Sequence, residues 1–155
     1  MKRNFATLAR NPRTRLVMFA LLAVLGGFAN GVAAHAQSTT TYGGSLHVVR
    51  GSQVAASDSA VVLLMKIPGL GQVTVNCPGG LTGIAFFPEV SGSLWFTHTG
   101  GTGFVNGSAG TQLSRQSADD VVTAQFAAGT KTATMVITGH PGATCSYSGQ
   151  AIVQP

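Results

Sequence analysis

Charge is scarce in this chain of 155 residues, with Asp, Glu, Lys and Arg together making up 8% of it. A disordered polyelectrolyte is excluded, because 45% of the residues are hydrophobic and available for burial. Glu, Lys and Leu are too scarce for a coiled coil. The formal net charge of +5 is local. Lys2, Arg3, Arg10, Arg13 and Arg15 carry that excess, while the rest of the chain sets Arg50, Lys66, Arg115 and Lys131 against Asp58, Glu89, Asp119 and Asp120. The body is therefore neutral. It offers no basic face for phosphates, which excludes nucleic acid as a partner.

Cysteine is scarcer still. Cys77 and Cys145 are the only two, with no Cys-x-x-Cys spacing and no His beside either. A metal site or a reactive thiol would lack its usual companions, so the pair reads as a disulfide spanning 68 positions. Catalytic motifs are missing too. Gly-x-Ser-x-Gly, His-Glu-x-x-His and His-x-His do not occur. Thr99 to Gly103 is glycine-rich but lacks the Lys and the following helix of a phosphate cradle, and reads as a flexible loop. Asp119-Asp120 is the only acidic pair, and adjacent strand residues point to opposite faces. It reads as charge that guards a sheet edge against aggregation. His47, His98 and His140 are far apart in sequence. His140 stands in a turn, His47 is expected to face water, and His98 to be partly buried at a strand end. No catalytic residue, cofactor or metal ligand is assigned.

What is present begins with an address. Basic residues lead into the apolar run from Leu16 to Leu25, and Ala34-His35-Ala36 places small residues at the positions signal peptidase reads. The expectation is a signal peptide over residues 1–36, cut before Gln37, which leaves 119 residues and no membrane span. The other reading of this segment is a retained anchor, because its apolar stretch approaches the length that crosses a bilayer. A secreted or periplasmic location follows from cleavage. Residues 37–45 are polar and read as a flexible leader. Residues 46–155 read as one domain.

Beyond residue 45 the hydrophobic period is two. Gln72 to Cys77 alternates, with Val73, Val75 and Cys77 on one face. Asp120–Ala127 and Thr132–Thr138 form a predicted hairpin, with Val122, Ala124 and Phe126 facing the core beside Ala133, Met135 and Ile137. The last strand, Thr144 to Val153, turns Cys145, Tyr147, Ala151 and Val153 inward. Ala60 to Lys66 is a continuous apolar run, suited to a strand buried on both faces. Eight to ten short strands with regular turns predict an all-β antiparallel β-sandwich, with a closed barrel as the runner-up.

The order Cys77…Trp95…Cys145 resembles that of immunoglobulin-like domains, an analogy of architecture that carries no function. Ala143 stands two residues before Cys145 where that pattern has Tyr, and ten residues follow Cys145, too few for a further strand.

The leading functional expectation is an exported, non-enzymatic module of the cell envelope or extracellular space with a structural or protein-interaction role. Trp95 supports a second one. Flanked by Ser93 and Thr97, an outward Trp95 is a candidate ligand contact that stacks on a sugar ring; the plainer reading buries it against the second sheet. The partner is thus an unidentified envelope protein or a glycan. A small metal-dependent or hydrolytic enzyme is the third reading.

Overall fold

The computed structural model describes residues 36–43 and 45–155. The expected signal segment lies outside these, apart from Ala36. Eleven strands occupy the described residues: β1 (Ala36–Tyr42), β2 (Leu46–Ala56), β3 (Val62–Ile67), β4 (Gly71–Asn76), β5 (Thr82–Pro88), β6 (Gly92–His98), β7 (Gly101–Gly107), β8 (Thr111–Gln116), β9 (Asp120–Ala128), β10 (Lys131–His140) and β11 (Thr144–Gln154). A 3₁₀ turn at Pro78–Gly80 is the one helical piece among them. All pairings are antiparallel. One sheet has seven strands in the order β1-β2-β11-β10-β9-β6-β7, and the other has four in the order β3-β4-β5-β8. Their inner faces share one core in a sandwich-like arrangement.

Alternation builds that core as expected. In the hairpin of β9 and β10, Val122, Ala124 and Phe126 lie opposite Ile137, Met135 and Ala133, and all six are buried. Across the interior, Val73 and Val75 of β4 pair with Phe86 and Ile84 of β5. Phe86 then meets Phe126 of the other sheet at a ring-centroid distance of 4.9 Å. Burying each such side chain contributes roughly 1.5–3 kcal/mol relative to leaving it in water.

The disulfide is present. Cys77, directly after β4, is bonded to Cys145 of β11 with Cα atoms 5.6 Å apart. The bond therefore ties the two sheets together, and both residues are fully buried.

Three expectations about the chain's course are corrected. Residues 36–42 are not a loose leader. They form β1, which adds to the edge of β2 in unbroken register from Ala36↔Ser52 to Tyr42↔Leu46. Its side chains are all exposed, so backbone pairing rather than burial holds it, and hydrophobic periodicity has nothing to report. Ala60 to Lys66 is not buried on both faces either: Val61 is 59% exposed and Lys66 points outward. A bulge between Leu63 and Met65 turns Leu64 and Met65 inward together. They enter a recess made by Gly51 and Gly149, which face each other on β2 and β11. A Cβ on Gly51 would collide with the Leu64 carbonyl oxygen, so only glycine fits there. Finally, Thr99 to Gly103 is no loose loop. Thr99 and Gly100 alone connect β6 to β7.

A candidate binding face

The four-stranded sheet covers only the inner face of its partner, so alternate residues of β6, β7, β9 and β10 look outward. On β6, Leu94 and Phe96 turn toward the core, which sends Trp95 the other way. Trp95 is 61% exposed, and the reading that buries it in the inter-sheet contact is overturned. This also limits the immunoglobulin analogy to an inter-sheet bridge, because Trp95 does not pack on the disulfide.

Strand register arranges a neutral platform around Trp95. One row runs Phe104–Trp95–Gln125–Thr134 across β7, β6, β9 and β10. The next row runs Thr102–Thr97–Thr123–Val136. Trp95 and Phe104 touch, with ring centroids 4.6 Å apart and planes inclined by 50°. Offset or tilted aromatic pairs of this kind contribute about 0.5–1.5 kcal/mol beyond area burial. A groove of about 630 Å³ lies here. Its outward lining is the two rings, the Thr hydroxyls and the Gln125 amide. Beside it, the Ser93 hydroxyl donates to Asn106 Oδ1 at 2.7 Å. Nothing in the sequence singles out Phe104, a lone Phe among glycines that carries little period.

The ionisable candidates do not converge. His47 is half-buried rather than open to water, because β1 lies beside it and Thr41 Oγ1 sits 3.0 Å from its Nδ1. His98 is half-buried at the end of β6, where its Nδ1 accepts from the Gly100 N–H at 3.0 Å and lies 3.2 Å from Gln116 Nε2. His140 pairs with Asp119 on the surface at 3.1 Å. Among the described residues no group of three or more His, Cys, Asp or Glu is placed to hold a metal ion.

Asp119 and Asp120 do point to opposite faces, but the edge-guard reading of the pair is wrong. β9 is an interior strand, between β10 and β6. Asp120 is 1% exposed. Its carboxylate accepts from the Thr99 backbone N–H at 2.9 Å, from Thr99 Oγ1 at 2.6 Å and from Ser114 Oγ. Burial pushes its pKa up, yet the hydrogen bonds from Ser114 and Thr99, with His98 nearby, outweigh that and hold it below the ordinary carboxylate value. Ser114 belongs to β8 of the other sheet, so this carboxylate fastens the two sheets and a hairpin turn. Ser114 bonds to Asp120 rather than to a histidine, which is not the arrangement that activates a nucleophile.

Tyr147 is a second fastener that sequence reasoning places in the core without a role. Its hydroxyl donates to the Asn76 carbonyl and accepts from the Gly83 N–H at 3.2 Å, linking β11 to β4 and β5. Burial raises its pKa, with the Gly83 bond opposing.

The fold and this face define a disulfide-bridged, all-β chain of two antiparallel sheets with an outward aromatic platform. Comparison with known protein families, curated proteins and solved structures finds no match to the chain. Among the described residues no helix is long and apolar enough to cross a membrane.

Proposed function

We propose that this chain is an exported, non-enzymatic interaction module of the cell envelope or extracellular space, and that it engages its partner through the outward face of the seven-stranded sheet. The observation that carries this reading is the position of Trp95. A chain with one Trp spends it on the solvent side, paired with Phe104, in a groove without formal charge. An exposed aromatic pair of this kind is a common anchor of binding surfaces. Export is supported by the basic and apolar start of the chain with its Ala-His-Ala end, and by the buried disulfide. Ser114 is engaged by Asp120, and His47, His98 and His140 stand apart on different strands, which favours binding over catalysis as the working reading.

The hydroxyl-lined groove favours a neutral glycan as the specific ligand. A sugar presents apolar C–H faces to a ring and hydroxyls to neighbouring Thr and Gln groups. Cosedimentation of the purified protein with isolated cell-envelope material tests both levels. The parent is expected to sediment, and Trp95→Ala to lose at least about tenfold in retention, on the order of 1.4 kcal/mol, while keeping its circular dichroism spectrum. Periodate treatment of the envelope abolishes retention if a glycan is the ligand, and protease treatment abolishes it if a protein is. Equal retention of parent and variant, or none by the parent, overturns the assignment of this face.

A further inference from the structure

We propose that β7 pairs edge to edge with β7 of a second copy of the chain, giving a two-fold dimer whose outward faces join into one aromatic row. The first ground is how differently the four sheet edges among the described residues are treated. At β3, Lys66 is exposed, and the Gln37 side chain occupies its backbone, accepting from the Lys66 N–H at 3.0 Å and donating to its carbonyl at 3.3 Å. At β8, Arg115 is exposed. Such charges and plugs are the usual means of preventing strand addition. β1 carries neither, but its side chains are Ser, Thr and Gln except for Ala36 and Tyr42, so pairing there would bury little apolar surface. β7 has no charge, no proline and no bulge over its seven residues, and it presents Phe104 at 48% exposure. No formally charged residue occurs from Val90 to Ser114. Two copies therefore meet at this edge without repulsion.

The second ground is geometry. Seven antiparallel strands make β1 and β7 run in the same direction. Translating one copy alongside another would pair β7 with β1 in parallel. A two-fold axis instead pairs β7 with itself in antiparallel fashion, the more favourable ladder. Phe104 is the central residue of β7, so the axis passes beside it. Thr102 then lies opposite Asn106 of the second copy, and Gly103 opposite Val105. The row Trp95–Phe104 continues directly into Phe104 and Trp95 of the second copy, which doubles the aromatic platform. An interface of one strand pair is small, so association is reversible and concentration-dependent.

Sedimentation equilibrium of the purified protein tests this apart from any ligand, so its outcome is independent of envelope retention. The parent is expected to show a monomer–dimer equilibrium that salt leaves unchanged. The variant Thr102→Lys/Asn106→Lys places two like-charged pairs across the axis and is expected to stay monomeric at every concentration. The variant Thr102→Lys/Asn106→Glu restores opposite charges and is expected to dimerise again, now with a salt dependence. A monomeric parent, association of the double-lysine variant like the parent, or failure of the lysine–glutamate variant to dimerise would overturn the proposal. So would a ladder of species beyond the dimer, which belongs to growth by translation.

Discussion

At the scale of single residues, the position with most at stake is Asp120. A buried carboxylate is costly unless its lone pairs are filled, and here three donors from two segments fill them. Because its pKa in the folded state lies below the ordinary value, folding favours the ionised form. The resulting stability is fully present above the unfolded pKa of roughly 3.9 and is lost as pH falls through the lower folded value. Asp120→Asn keeps the volume and loses the charge. It is expected to cost about 1.5–3 kcal/mol near neutrality, the range for hydrogen bonds to a charged group. Its urea midpoint should also fall less steeply than the parent's on acidification. Parallel pH profiles for the two would show that Asp120 does not carry the acid sensitivity. The carboxylate and its opposition to Asp119 are legible in the sequence, but its partners are not. Thr99 stands 21 positions away and Ser114 in the other sheet, and neither is linked to Asp120 by any period. Trp95 is closer to legible. Leu94 and Phe96 inward already send Trp95 outward, and what sequence could not show is that no second layer of the described residues covers that side.

At the scale of elements, alternation is readable wherever one face is core and the other solvent, as in β9, β10 and much of β11. It fails where another force places the strand. β1 is held by backbone pairing and a few polar side-chain bonds such as those of Gln37 to Lys66, with no buried face, and its Ser and Thr run looks like a linker. In β3 the bulge puts two successive apolar residues on one face, and a continuous run then imitates double burial. The bulge and the glycine pair are one device: Leu64 and Met65 fill the space that Gly51 and Gly149 leave. Gly51→Val is expected to cost about 1–3 kcal/mol or more, because its side chain meets backbone rather than a flexible tip and the sheets must part locally. Strand propensity taken alone predicts the reverse, since valine favours strands over glycine. Thermal unfolding of this variant decides between them, and a midpoint at or above the parent's would mean that the inter-sheet approach is looser than described.

At the scale of the whole molecule, two sheets, one core and one bridge are legible because Cys77 continues the inward alternation of β4 one residue past its end and Cys145 falls on the inward face of β11. Sheet membership is not legible, since nothing in a neutral sequence tells β3 to leave β2 for a separate sheet. The bridge joins these sheets across a separation of 68 residues, and in the chain-entropy view it stabilises by about 4 kcal/mol, through the unfolded chain. That is a large share of the roughly 5–15 kcal/mol typical of a domain. Reduction should therefore lower the urea midpoint sharply, with a mass gain of about 2 Da confirming one opened bond. Cys77→Ala/Cys145→Ala should behave like the reduced form. The mechanism makes a further demand. If the bridge acts on the unfolded ensemble, opening it lets that ensemble expand, and the denaturant slope m should rise as the midpoint falls. A lower midpoint at unchanged slope would place the stabilisation in the folded state instead, in the packing of the two buried sulfurs between β4 and β11.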